Sequence, residues 1–279
     1  MIFLKRFVLY TLLALLLIIA GYSLFTFFTL GTITPAADPV RDRNANAVVM
    51  VFGATGSVGD GLLKAALMDP EVEMVYAVTR RSSPRMDEAA GNGKFEIRLL
   101  QDFTDYSSLA DILGGVNTVL WGLGTSSLQV DDATYSWIHV DFPVAFVTAW
   151  VAAAGDGPRS FHYVTGMGTD ANGSSHWSRE KGRAELEVAA LAETSQLRTF
   201  GYRSAYIRPT SEQAHAFNYL GEILFKPGSL VITATALGQA MLEISARTQE
   251  LANGTLIDNA DSIAYAQAYR QIMPAGDEN

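Results

Sequence analysis

Gly53-Ala54-Thr55-Gly56-Ser57-Val58-Gly59 places a glycine at every third position between two contrasting patterns. The β-branched run Val48–Phe52 leads into it, and a helical apolar pattern from Val58 to Met68 follows. Glycine permits the tight turn at position 53. It also lets a pyrophosphate approach the backbone at 56 and a helix pack closely on its strand at 59. The helix N-terminus adds free N–H groups and a partial positive charge. In this strand–turn–helix setting the spacing reads as a dinucleotide-binding loop, with Gly53, Thr55, Gly56, Ser57, Val58 and Gly59 as expected contacts.

The next β-branched run ends in Val78-Thr79-Arg80-Arg81-Ser82-Ser83. A site preferring NAD places a carboxylate here for the ribose 2′-hydroxyl, whereas two guanidinium groups and two hydroxyls suit a 2′-phosphate. NADP is therefore the expected cofactor, through Arg80 and Arg81, with NAD the poorer fit. Other chemistries find less support. The chain has no cysteine, which excludes thiolate catalysis and Cys-ligated metals. His139, His162 and His215 lack metal-ligand spacing and Gly-x-Ser-x-Gly is absent, so neither a metal site nor a hydrolase nucleophile is expected. Residues 1–43 carry +2 of the net −9, leaving −11 on the remainder. A domain that acidic repels nucleic-acid backbones.

The elements that must position these residues alternate. Strand-like runs cover Val48–Phe52, Met74–Thr79, Phe95–Leu100, Thr118–Trp121, Ser160–Thr165 and Tyr202–Ile207. Helix-like segments cover Val58–Met68, Ser107–Leu113, Thr134–Ala154 and Arg179–Ala192. This alternation predicts an α/β fold, a doubly wound parallel-sheet Rossmann domain over residues 47–273. A helix around Leu237–Thr248 and a strand-helix unit at Gly254–Arg270 are expected to form a small C-terminal cap.

From Phe7 to Leu30 no residue is charged. A helix of that length spans the roughly 30 Å hydrocarbon layer. Residues 1–6 are then a tail, 7–30 a single transmembrane helix and 31–46 an extended linker. A cleaved signal peptide is the alternative, but its apolar region would be shorter. Lys5 and Arg6 are nearly balanced by Arg41 and Arg43 across the span. A cytoplasmic soluble domain is expected because NADPH is abundant there.

With these residues in view, the chain resembles the atypical short-chain dehydrogenases/reductases, and among them the Tat-interacting-protein type of NADPH-binding oxidoreductase. The likeness runs through the glycine loop, Arg80-Arg81, Val140-Asp141 and Arg208-Pro209 at the end of the sixth strand. It implies that Asp102-Phe103 lies near the adenine and that Gly122-Leu123-Gly124-Thr125 forms the cofactor loop after the fourth strand. It also implies a catalytic serine closing the fifth strand and a Tyr-x-x-x-Lys helix. Thr165 stands for that serine and Lys181 matches the lysine, so Thr165 and Lys181 are the implied catalytic residues, Lys181 also holding the cofactor. By analogy the helices after the third and fourth strands pair subunits, giving a homodimer.

Trp177 occupies the tyrosine's place. A phenol beside a lysine can pass a proton, but an indole N–H can only donate a hydrogen bond. His176, Tyr163 or a relayed water is each a weak replacement. Two functions are therefore expected in competition. One is a membrane-anchored NADP(H)-dependent oxidoreductase acting on a small or lipid-like carbonyl. The other is a non-catalytic NADPH-binding regulatory protein. Nucleotide-sugar isomerisation is a third, less favoured, use of the fold.

Overall fold

The computed structural model describes residues 2–153, 155 and 157–273. Met1 and Ala154, placed above in the tail and at the end of a helix, lie outside them. Helix α1 (Ile2–Thr29) begins five residues before the expected span, so Lys5 and Arg6 are helical. Its stretch Lys5–Thr29 has mean hydropathy 2.3 and is long and apolar enough to cross a membrane.

The following segment is tied down along the domain rather than hanging free. Gly31 N–H donates to Asp258 at 2.8 Å, Ile33 N–H to Asp261 at 2.9 Å and Ala36 N–H to Glu250 at 3.1 Å. A 3₁₀ turn at Arg43–Asn46 then delivers the chain to β1 (Val48–Phe52).

From there strands and helices alternate: α2 (Ser57–Met68), β2 (Met74–Thr79), α3 (Pro84–Ala89), β3 (Phe95–Leu99), α4 (Ala110–Leu113) and β4 (Thr118–Trp121). Next come α5 (Asp132–Ser136), α6 (Phe142–Ala152), β5 (Arg159–Val164), α7 (His176–Ala192) and β6 (Leu197–Arg203). The C-terminal part holds β7 (Tyr206–Arg208), α8 (Ala216–Phe225), β8 (Val231–Thr233), α9 (Ala234–Ala246), β9 (Thr255–Asp258) and α10 (Asn259–Ile272). Seven strands form one sheet in the order β3-β2-β1-β4-β5-β6-β9, and every pairing in it is parallel. The order reverses between β1 and β4, which opens a crevice at the carboxyl ends of the strands.

Side-chain alternation along β1 builds the two cores. Val49 and Val51 pack under α2, α9 and α10 with Leu62, Leu237, Met241 and Tyr265. Met50 and Phe52 face the other way, toward Trp121, Phe146, Trp150 and Phe161. Phe142, Phe146 and Trp150 of α6 are therefore core, while Trp137 stays about half exposed.

Four expectations need correcting. The sixth strand begins at Leu197, five residues before the expected Tyr202, because Gly201 interrupts its pattern. A Cβ at Gly201 would stand 2.7 Å from a carboxylate oxygen of Glu185, so the glycine makes room for that buried side chain. Tyr206–Arg208 is not part of the same strand: β7 leaves the main sheet to pair with β8, so Arg208-Pro209 ends the small ribbon. The expected helix Thr134–Ala154 is broken by a π turn at Trp137–Asp141. Pro143 has no N–H for the His139 carbonyl, so the regular i→i−4 ladder cannot pass that point.

The small addition beside the sheet is made of β7, α8 and β8. The unit placed in it from Gly254 onward instead supplies β9, the edge strand of the main sheet.

Candidate functional site

The crevice contains a cavity of about 520 Å³ lined by Gly53, Thr55 and Gly56 on one side and Gly122, Leu123 and Gly124 on the other. Arg80, Arg81 and Phe103 close its outer end. Gly53 has φ +76°, and a Cβ there would stand 2.5 Å from Leu123 N, so glycine is needed for both conformation and space. A Cβ at Gly59 would overlap the Gly53 carbonyl. Ser57 and Val58 do not line the cavity with their side chains. They open α2 together with Gly59, and the first intrahelical bond is Asp60 N–H to Gly56 O at 2.9 Å. The amides of residues 57–59 thus have no partner among the described residues and are free for an anion.

Arg80 and Arg81 are exposed and form no ion pair among the described residues. Their loop is nonetheless ordered, since Thr79 Oγ1 donates to Arg81 O at 2.7 Å and Gln101 Nε2 to Arg80 O at 3.3 Å. Asp102 accepts from Thr104 N and Oγ1, which lowers its carboxyl below the usual range. Phe103 is buried between Phe52 and Phe142, with ring centroids 6.3 and 5.4 Å away. The residues present fit a nicotinamide dinucleotide: a glycine cradle, orphan amides and two guanidinium groups with no ion pair among the described residues.

At the other end of the crevice the side chains meet one another. Thr165 is buried, and its hydroxyl donates to Glu185 at 2.7 Å instead of facing Lys181. Glu185 is forked by Arg203, with Nη2 to Oε2 at 2.7 Å, and the hydroxyl serves the same buried carboxylate. Lys181 reaches Thr165 through its backbone, donating to the carbonyl oxygen. Burial lowers the Lys181 ammonium to about 8, partly offset by the Glu185 charge. One turn earlier, half-buried Trp177 lies over Gly168, where a Cβ would be 3.3 Å from its ring.

The two alternative acids are otherwise engaged. Tyr163 is core, and its hydroxyl donates to His139 O at 2.7 Å. His176 opens α7 with its Nε2 3.1 Å from both Ser136 Oγ and Asp132 O.

No family profile matches the chain. Among solved structures, a 3-oxoacyl-[acyl-carrier protein] reductase from Brucella melitensis aligns with TM-score 0.60 and 16% identity, over 78% of this chain and 97% of that one. An oxidoreductase of the short chain dehydrogenase/reductase family from Burkholderia thailandensis aligns with TM-score 0.59 and 16% identity, over 83% and 98%. The fold is that of the short-chain dehydrogenases/reductases.

The Bordetella bronchiseptica enzyme WbmF, in complex with NAD+ and UDP, is similar to this short-chain dehydrogenase/reductase fold with TM-score 0.57 and 17% identity, over 85% and 80%. A curated relative, leucinostatins biosynthesis cluster protein T from Purpureocillium lilacinum, is 28% identical over 144 residues. That alignment spans 51% of each chain.

Within this short-chain dehydrogenase/reductase fold, His139, buried against the Gly124–Thr125 loop, is the residue whose place the sequence did not reveal. Its spacing from the other histidines speaks only against a metal site. Its ring stacks on Tyr135 at 4.2 Å and its Nε2 lies 2.9 Å from Thr125 O and 3.1 Å from Thr125 N. A Cβ at Gly124 would be 2.6 Å from His139 Cε1, so Gly124 makes space for the imidazole. The available signal was Pro143, four residues on, which leaves the His139 carbonyl for the Tyr163 hydroxyl.

Burial and the nearby Lys181 charge push the His139 imidazolium down to about 4 from 6.5, against the Thr125 carbonyl. The unfolded chain therefore binds more protons between those values, and stability falls as pH drops from 6.5 toward 4. The contribution is on the order of 3 kcal/mol. His139→Gln should accordingly lose less stability than wild type over that interval in urea titrations. Parallel losses in the two proteins would show that His139 is not buried neutral.

Proposed function

We propose that this chain is a membrane-anchored NADP(H)-binding oxidoreductase of the short-chain dehydrogenase/reductase type, acting on a small or lipid-like carbonyl. The observation that carries the reading is the cavity at the β1–β4 switch point, with the glycine cradle at one wall and Arg80 and Arg81 at its end. A nicotinamide dinucleotide bound there would supply or accept hydride, with water giving or taking the accompanying proton. The chain's own residues supply position: the amides of residues 57–59 hold the pyrophosphate and the two guanidinium groups hold the 2′-phosphate. Asp102 and Phe103 border the adenosine, and Gly122 to Gly124 form the opposite wall. Lys181, fixed by the Thr165 carbonyl, holds the nicotinamide ribose.

The anchor suits a lipid-like substrate. Gly31, two residues past α1, is bonded to Asp258 at the carboxyl end of β9. Because every strand of the sheet is parallel, that end is also the cofactor crevice's end. The soluble domain is assigned to the cytoplasmic side, where NADPH is supplied, and pairing of two copies through their helices remains part of the proposal by analogy.

Trp177 favours a second reading, in which the chain binds NADPH without turnover and reports its redox state to a partner. The Thr165 hydroxyl committed to Glu185 supports it, because neither side chain then offers a transferable proton. The distinguishing experiment uses the detergent-solubilised full chain. A thermal-shift titration should respond more strongly to NADPH than to NADH. NADPH oxidation across a carbonyl panel then separates the readings. On the binding-protein reading, Trp177→Tyr raises turnover from background by at least about 100-fold, the low end of a positioned acid's effect. Robust wild-type turnover that Trp177→Tyr leaves unchanged would remove the regulatory reading.

A further inference from the structure

Helix α8 is amphipathic, but its faces are reversed relative to a helix packed on a soluble domain. Its polar side chains turn inward. Glu222 pairs with Arg208 at 2.7 Å, and the Asn218 amide donates to the Tyr206 hydroxyl at 3.1 Å while its oxygen caps His215 N at 2.8 Å. Its apolar side chains turn outward, with Phe217 84%, Leu220 49% and Ile223 70% exposed, and no residue of the helix is buried. A surface helix in water ordinarily buries the apolar stripe and exposes the polar one.

The neighbour of α8 says what covers that face. The Tyr22 hydroxyl of α1 donates to the Leu224 carbonyl, and the Tyr22 ring lies 6.3 Å from that of Phe225. A Cβ at Gly228, in the turn that ends α8, would stand 2.9 Å from the Tyr22 ring and 3.0 Å from Thr26 Oγ1. At about 1.5 Å per residue, a roughly 30 Å hydrocarbon layer beginning at Phe7 extends to about Thr26. Tyr22 then lies one turn inside the layer, and the C-terminal end of α8 is packed against it at that depth.

We propose that α8 is a second membrane element, lying in the lipid interface beside the anchor with Phe217, Leu220 and Ile223 in the acyl region. The occupant of the exposed face is the bilayer that holds α1, so the inference rests on α1 being an anchor. Exposed Lys226 and the His215 cap flank the apolar stripe at its two ends, where headgroups meet them. Together the two helices hold the domain at two points, which sets its tilt and keeps the crevice end of the sheet facing the membrane.

The absence of cysteine makes the test direct. Phe217→Cys, Ile223→Cys, Leu16→Cys and Asn92→Cys, each made singly in the full chain, are labelled with an environment-sensitive fluorophore and reconstituted in phosphatidylcholine vesicles. Leu16 reports the anchor, and Asn92, in an exposed loop before β3, reports water. The expected result is a blue shift and at least about threefold stronger quenching by lipid-borne than by aqueous nitroxide at 217, 223 and 16, with the reverse at 92. Lipid quenching at 16 with aqueous quenching at 217 and 223 overturns the role of α8 and leaves the anchor standing. Aqueous quenching at 16 as well overturns the anchor itself. Protection of 217 and 223 from both quenchers, growing with protein-to-lipid ratio, assigns the face to a second copy of the chain instead.

Discussion

Gly56→Ala is expected to weaken NADPH binding by about 100-fold, or roughly 2.7 kcal/mol, while leaving the fold nearly as stable as wild type. Gly56 caps α2 with φ −92° and ψ 164°, a conformation alanine adopts freely. A Cβ there would meet only the Gly53 carbonyl, at 3.3 Å, a contact eased by a shift of a few tenths of an ångström. The same methyl would stand at the cavity wall, where it holds a pyrophosphate away from the amides that open α2. Alanine in place of glycine at an N-cap costs the helix about 1 kcal/mol at most.

Gly59→Ala makes the contrasting control. Its Cβ would overlap the Gly53 carbonyl, so strand and helix must separate and both melting temperature and affinity should fall. Calorimetric titration and thermal melts of the solubilised full chain measure both quantities. Wild-type affinity in Gly56→Ala would mean that no pyrophosphate docks on this loop.

The second large effect concerns the end of β2. The double change Arg80→Ala, Arg81→Ala is expected to reduce NADPH affinity by about 100-fold or more and NADH affinity by less than about threefold. Each charge-assisted hydrogen bond contributes roughly 1.5–3 kcal/mol, and the 2′-phosphate that receives them exists only in NADPH. Neither guanidinium has an ion-pair or hydrogen-bond partner among the described residues, so their loss breaks no internal polar interaction and the melting temperature of the free protein should hardly move. Equal losses for the two cofactors would assign the arginines to the general phosphate field and withdraw the NADP preference.

Much of the cofactor half of the crevice was legible because its signals are local. Gly53, Gly56 and Gly59 announce a turn and two close approaches within one strand–helix unit, and the cavity lies against that turn. Arg80 and Arg81 stand one crossover later, at the carboxyl end of the neighbouring strand. The chemistry half was less legible because each of its contacts joins distant segments. Thr165 matches the implied serine by position, yet its hydroxyl follows Glu185, twenty residues away. Glu185 in turn requires Gly201 for space and Arg203 for charge. His139 packs against the crevice wall only because Pro143 interrupts the helical ladder and Gly124 leaves room for the ring.

By itself the amino-acid sequence determined a parallel α/β chain behind an apolar helix, with a glycine-rich turn at its first strand. Such features follow from hydrophobic period and from backbone rules that act over a few residues. Only the tertiary structure decided that Tyr206–Arg208 leaves the sheet, that β9 completes it, and which way the Thr165 hydroxyl and the faces of α8 point. A side chain's direction is set by the partner that satisfies it, and a buried carboxylate or an apolar stripe finds that partner in three dimensions.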